Sequence, residues 1–495
     1  MLVHGDLDWY NIFIDDSGAL TGVIDWWCVE AVQQISTVSH GPPQSGVSTP
    51  PGPSTAPAAI AELIKSLGIT NATISFLAQG GFNKVYTVSS PGNEDLILRI
   101  ALPVDPRFKT RSEVATMEWM RYNTAIPVPR VLRYGESRAN IVGFEWILMT
   151  KLSGKNLGDV WNTILYAAKE ALVRRIAGVW AELFRRPMFG VGNIYSASSS
   201  SKEEKGARAP EVGRIVSMQF FWGNHMHQDV PRGPFESSRE WMLARLELCE
   251  HECRATLERC EGVERNGADG ADVGDEGRGG VDSDDKDGRD DEGHEDDEAA
   301  DDEEEEAERT MDIVMRLKPL VDRIFPEGQS GEEKTVFSHH DLSNHNVLVD
   351  DDGALIGLLD WECVSAVPLW KACDFPSFLG GRPREVKPDR TAYDLNDEDH
   401  ADDYWRYLKE YEITNLRRVF LDEMAILEPE WMQIFKASQV QRDLDTAVLD
   451  CDCELSARSI RYWSDNVMAE KSNMLTLEDR RYGCYGPDDS KDDII

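Results

Sequence analysis

His339-His340-Asp341-Leu342-Ser343-Asn344-His345-Asn346 is the stretch from which the rest of the chain can be read. It stands between two apolar runs of strand character, Thr335-Val336-Phe337 before it and Val347-Leu348-Val349 after it. Asp350-Asp351-Asp352-Gly353 supplies a turn, and a second apolar run, Ala354 to Leu359, ends in Asp360. The pattern predicts a strand, a polar loop and a hairpin that returns a second carboxylate to that loop. Asp341 is suited to accept or orient a hydroxyl proton. Asn346 and Asp360 offer the hard oxygen ligands that Mg²⁺ takes when it also holds phosphates. A merely solvated acidic hairpin would not require polar residues at these three spacings.

The run fits the H-x-D-x-x-x-x-N pattern of kinase catalytic loops, with the later Asp at the metal position. On these residues the segment resembles the aminoglycoside phosphotransferase family, the kinase-like group that also contains choline kinases, and especially its fungal members of unassigned substrate. Asp360-Trp361-Glu362 stands where protein kinases carry Asp-Phe-Gly, which points to small-molecule kinases. The resemblance implies an α+β, two-lobed protein-kinase-like fold with a small β-rich nucleotide lobe and a larger helical lobe. It also implies ATP or GTP with Mg²⁺ as cofactors, and a small-molecule hydroxyl as acceptor.

The chain of 495 residues is long enough for two to four domains. Its formal net charge of −38 is uneven: residues 266–308 hold 22 Asp/Glu against 3 Lys/Arg, a net of −19. So acidic a chain is not built to bind a phosphate backbone, and no nucleic-acid partner is expected. The acidic insertion, 262–308, is expected to loop out of the helical lobe as a disordered segment, with a basic partner as its one conceivable ligand. The nine cysteines are scattered, without paired C-x-x-C units, and no run reaches the ~18 apolar residues of a membrane span. No targeting sequence is recognisable at Met1 to Asp6. The expectation is a cytoplasmic protein with reduced thiols and no membrane contact.

The first residues repeat the later motif. His4, Asp6, Asn11 and Asp25 have the spacing of His339, Asp341, Asn346 and Asp360, and residues 4–32 share 16 of 29 identities with 339–367. Residues 1–35 therefore read as an orphan duplicate of the catalytic hairpin, catalytically silent because no nucleotide lobe precedes it. Residues 36–58, rich in Pro, Gly and Ser, read as a linker.

The expected nucleotide lobe is 59–152. Ile60, Leu63, Ile64 and Leu67 mark a short amphipathic helix. Gln79-Gly80-Gly81-Phe82-Asn83 joins two strand-like runs, as a turn over phosphates requires. Gly80, Gly81, Phe82 and Asn83 are accordingly candidate nucleotide contacts. In Leu96-Ile97-Leu98-Arg99-Ile100, Arg99 occupies the strand position where kinases place a phosphate-pairing lysine. Arginine keeps the charge but not lysine's geometry. By the same resemblance Glu113, in a helix with Val114, Met117 and Met120 on one face, is Arg99's partner. Phe144 to Met149 forms a strand leading to the hinge that meets adenine, with Met149 as its candidate contact.

Residues 153–470 are the expected helical lobe and 471–495 a tail. Leu172, Ile176 and Leu183, then Leu416, Phe420 and Met424, fall at helical spacing and read as core, while Met311, Val314, Met315 and Leu317 resume a helical pattern before the strand that leads to the polar loop. The best functional reading is a phosphotransferase with an alcohol acceptor. A catalytically impaired scaffold is the alternative, favoured by Arg99 in place of lysine. A protein kinase stands third, since no Ala-Pro-Glu-like element follows Asp360.

Overall fold

The computed structural model describes residues 57–196, 211–270, 292–328, 332–471 and 474–482, with two further strands near the start, β1 (Ile12–Ile14) and β2 (Leu20–Val23). Side chains at 263–270, 292–301 and 398 are outside the description.

The amphipathic helix at the start of the nucleotide lobe forms as α1 (Pro57–Ser66), with Ile60, Leu63 and Ile64 buried. Next come β3 (Thr73–Gln79), β4 (Asn83–Ser89), β5 (Leu96–Ala101), α2 (Phe108–Asn123), β6 (Val131–Gly135) and β7 (Glu145–Thr150). The strands make one antiparallel sheet in the order β3-β4-β5-β7-β6. Alternation sets its two faces. Leu98, Ile100, Trp146 and Leu148 pack with α1. Ile97, Ile147 and Met149 turn the other way, against Val114, Met117 and Met120 of α2.

That second face is continuous with the rest of the molecule. The same core takes in Leu172, Ile176 and Leu183 of α3 (Tyr166–Phe184), and Leu416, Phe420 and Met424 of a later long helix. It also takes in Val347, Val349 and Leu358 from the hairpin that carries the polar loop. The small lobe is thus seated on the polar loop's hairpin by shared apolar packing. A second core binds the remaining helices, including α4 (Ser238–Gly270) and α5 (Glu292–Ile324).

One expectation is corrected here. Residues 262–270 and 292–308 are helical, where the charge count predicted an unfolded loop. Ile313, Val314, Leu317, Leu320 and Val321 are fully buried against α4, which nucleates α5. Glu and Ala then extend it backwards, being good helix formers, and acids are favoured near a helix N-terminus. Ala307 is buried and Glu303 meets Arg259 at 3.2 Å. Residues 271–291 lie outside the description. Met315 is 55% exposed, since the buried face of α5 runs through Ile313.

The order continues with β8 (Lys155–Asn156), β9 (Lys334–Ser338), β10 (Val347–Val349), β11 (Leu355–Leu358), β12 (Ser365–Pro368), α6 (Glu398–Leu427), α7 (Pro429–Ala437), α8 (Gln439–Leu449) and α9 (Glu454–Met468). The whole is an α+β, two-lobed, kinase-like fold. In the N-terminal repeat, β1 and β2 pair as β10 and β11 do. Ile12↔Val23 and Ile14↔Leu20 correspond to Val347↔Leu358 and Val349↔Leu355, with a register shift at the same step. His4, Asp6, Asn11 and Asp25 lie outside the described residues.

Candidate active site

The polar loop leaves β9 and is fastened at both ends. His339 is buried, with its ring edge-on to Trp361, and its Nε2 donates to the Leu359 carbonyl at 2.8 Å. Burial holds the imidazole neutral by pushing its pKa down, which suits this donor role. At the far end the Leu359 N–H donates to the Asn346 carbonyl at 2.9 Å. These two bonds bind the loop to the segment that delivers Asp360.

Asp341 and Asn346 face each other. Asn346 Nδ2 donates to the Asp341 carbonyl at 2.8 Å and to its Oδ2 at 3.3 Å. Burial, with Asp360 and Glu362 nearby, pushes the Asp341 carboxyl up to about 6. A carboxylate raised in this way is a better proton acceptor than an ordinary one and still ionised at neutral pH.

Asp360 is reached through an unusual backbone. Both Asp360 and Cys363 adopt φ of +58°, a region that non-glycine residues rarely occupy. Between these kinks Trp361 is buried, its indole N–H donating to the Leu358 carbonyl at 3.0 Å. The result is that Asp360 and Glu362, one residue removed from each other, reach the same guanidinium.

That guanidinium is Arg99. It meets Glu113 at 2.6 Å, Asp360 at 2.8 Å and Glu362 at 2.6 Å. The structure therefore brings together Arg99, Glu113 and Asp360, which come from a strand, a helix and a distant loop. The planar fork of arginine allows one residue to span three carboxylates, which a lysine ammonium would not do with the same geometry.

Two members of this cluster were not anticipated from sequence. Glu362 also pairs with Lys109 and accepts from Asn83 Nδ2 at 2.8 Å. Lys109 Nζ in turn donates to Asn83 Oδ1 at 3.3 Å. Burial alone would raise the Glu362 carboxyl, but Arg99, Lys109 and the hydrogen bonds bring it down to about 2, so it is held ionised. Lys109, although buried, stays charged because Glu362 and Glu113 outweigh desolvation. No sequence signal marked them: the opening turns of α2 bury Lys109, Thr110, Ser112 and Glu113, all 2% exposed or less. A helix burying its polar first turn is not a surface helix.

The Gly-Gly turn closes through Gly80, whose N–H donates to the Asn83 carbonyl at 2.9 Å. Open space surrounds the position of a Cβ on Gly80. Phe82 reaches the helical lobe, edge-on to Phe221 at 5.2 Å and packed beside Cys363. Met149 lies away from the charged cluster, its side chain in the core between the lobes.

The Phosphotransferase enzyme family model matches residues 73–411, more than half of the chain. The chain belongs to that family. Among phosphotransferase structures, an ADP-bound aminoglycoside phosphotransferase is 10% identical, with 80% of this chain and 97% of that one covered and a TM-score of 0.35. A spectinomycin phosphotransferase in complex with ADP and spectinomycin is 12% identical over 86% and 98%, with a TM-score of 0.33. A Subtelomeric hrmA-associated cluster protein of Aspergillus fumigatus is 29% identical over 165 residues, 32% of each chain. Altered inheritance of mitochondria protein 9 of Meyerozyma guilliermondii is 32% identical over 170 residues, 32% of this chain and 28% of that protein. The match thus spans about a third of these relatives' length.

The residues present fit a nucleotide-borne Mg²⁺. Asp360 is engaged by Arg99 through Oδ1, and Asn346 uses its Nδ2 for the hydrogen bonds to Asp341. Among the described residues no group of three or more His, Cys, Asp or Glu is arranged to hold a metal by itself. A metal held mainly through phosphates needs only one or two protein ligands, which is the set offered here.

Proposed function

We propose that this phosphotransferase moves the γ-phosphoryl group of ATP or GTP to a hydroxyl of a small molecule. The observation that carries this is the convergence of Arg99 on Glu113 and Asp360, beside the Asp341–Asn346 pair. Asn346 and Asp360 would hold Mg²⁺, which when bound neutralises charge on the transferring phosphates. Asp341 accepts the proton of the acceptor hydroxyl or orients that hydroxyl for in-line attack. Arg99, fixed by Glu113, sets the position of Asp360 and adds positive charge beside the phosphates. The Gly80-Gly81 turn with Phe82 and Asn83 covers the nucleotide, and the strand end at Met149 leads to the adenine side. Catalysis of this kind rests on positioning and charge neutralisation, for which a preset cluster is suited.

Among the described residues no helix is long and apolar enough to cross a membrane. A cytoplasmic site of action accords with scattered cysteines that form no paired C-x-x-C units. The test is a metabolite extract incubated with nucleotide labelled at the γ-phosphate and Mg²⁺. Label should enter small molecules with the native protein and not with Asp341→Asn.

A further inference from the structure

Asn83 is held at both ends of its side chain. Its Nδ2 donates to Glu362 at 2.8 Å and its Oδ1 accepts from Lys109 at 3.3 Å. Its carbonyl meanwhile closes the Gly-Gly turn by accepting from Gly80. Lys109 and Glu362 form an ion pair of their own, and Glu362 reaches Arg99 at 2.6 Å. All four side chains sit deep in the protein: Asn83 is 6% exposed, Arg99 8% and Lys109 2%, and the side chain of Glu362 is 12% exposed.

We infer that Lys109, Glu362 and Asn83 form a latch that registers the Gly-Gly turn against the Asp360 loop, with Lys109 as a positioning residue for nucleotide binding. This rests on the function proposed above. Arg99 alone faces three carboxylates, Glu113, Asp360 and Glu362, a net charge of −2 where anionic phosphates must enter. Lys109 brings the cluster to −1 and holds Asn83, the side chain that hydrogen-bonds turn to loop. Lys109 therefore acts on phosphates through the turn and through the local charge, not by touching them. The N-terminal repeat is instructive, because Trp27 stands at the position equivalent to Glu362. That copy keeps the spacing of Asp6, Asn11 and Asp25 but carries no acid at the aligned position.

The test is titration of the full-length protein with MgATP and MgGTP, with melting temperature recorded without nucleotide. Lys109→Met should raise the dissociation constant about tenfold or more, the scale seen when supporting residues around a bound group are removed. Lys109→Arg should retain most of the affinity. Since Lys109→Met leaves Glu362 less well paired and is exposed to misfolding, Asn83→Ala provides an independent arm. It cuts the tether while Lys109 and Glu362 stay paired, so it should raise the dissociation constant several-fold with little change in melting temperature. Combined, the two substitutions should cost less than the product of their separate effects, because both break one linkage. Unchanged affinity in Asn83→Ala, or a Lys109→Met that melts lower yet binds as the native protein does, would overturn the latch and leave the function standing. Native protein that binds neither nucleotide would overturn both.

Discussion

Arg99 and Asp360 are separated by 261 residues and joined by a hydrogen-bonded ion pair of 2.8 Å. Strand β5 of the small lobe is thereby fixed to the segment that follows the β10–β11 hairpin. With Glu113 on the other arm of the guanidinium, helix, strand and loop have one common fastening point. The geometry needs arginine: it is the fork, more than the charge, that lets three carboxylates be served at once.

Arg99→Ala should therefore be among the most damaging substitutions in the small lobe. Removing one partner from a buried ion cluster costs about 3–5 kcal/mol, since the carboxylates left behind are uncompensated. Chemical denaturation should show that loss, and nucleotide titration a matching loss of affinity. Arg99→Lys should recover part of the stability and less of the affinity, because one ammonium cannot span Glu113, Asp360 and Glu362 together.

A stability effect with a defined pH window is expected at Asp443. This residue is 6% exposed, and burial pushes its carboxyl up to about 6. A raised carboxyl favours the folded state below the ordinary carboxylate range, and that contribution is lost as pH rises through about 6. Oδ1 accepts from Gln439 at 3.1 Å and from the Leu477 N–H at 3.3 Å, roles that an amide oxygen can keep. Asp443→Asn should therefore gain on the order of 2 kcal/mol over the native protein at pH 8, and about half as much at pH 5. Urea melts at the two pH values measure the difference.

The motif spacing carried a great deal of this site. Asp341, Asn346 and Asp360 are separated by intervals that a loop and a two-strand hairpin fix locally, so their meeting could be read from nearby sequence. Arg99 and Glu113 could be placed because a strand and the next helix hold them in kinase order. Glu362 and Lys109 could not. A glutamate after Asp-Trp and a lysine in the first turn of a helix have the look of surface residues. Their burial is set by contacts across 279 residues, such as Asn83 with Glu362. The error at 292–308 had a different cause: charge density was weighed and helix propensity was not, although α4 lay ready to receive the apolar end of α5.

That correction separates two deletions. Replacing residues 271–291 with a Gly/Ser linker of equal length should leave the melting temperature nearly unchanged, since α4 and α5 pack through residues outside it. Replacing 271–308 in the same way removes Ala307 and the Glu303–Arg259 contact. It should lower the melting temperature by about one to two degrees, as a loss of about 1 kcal/mol does in a protein of this size. Differential scanning calorimetry of the two variants decides it.

The N-terminal repeat should take no part in nucleotide binding. Asp25→Ala, and removal of residues 1–56, should both leave one nucleotide bound per chain, because Asn11 and Asp25 have no counterpart of Glu362 beside them. Calorimetric titration gives the stoichiometry; two nucleotides per chain would mean that the repeat builds a working site.

Comparing the native protein with Asp341→Asn bears most directly on the central claim. Both are saturated with MgATP or MgGTP labelled at the γ-phosphate, in the presence of a small-molecule extract, and nucleotide affinity is measured alongside. The predicted result is labelled phosphate in small molecules with the native protein only, and the same nucleotide affinity in both, because Asp341 serves the acceptor. Transfer at the native rate by Asp341→Asn, or no labelled product from a native protein that binds nucleotide across a broad extract, would contradict it.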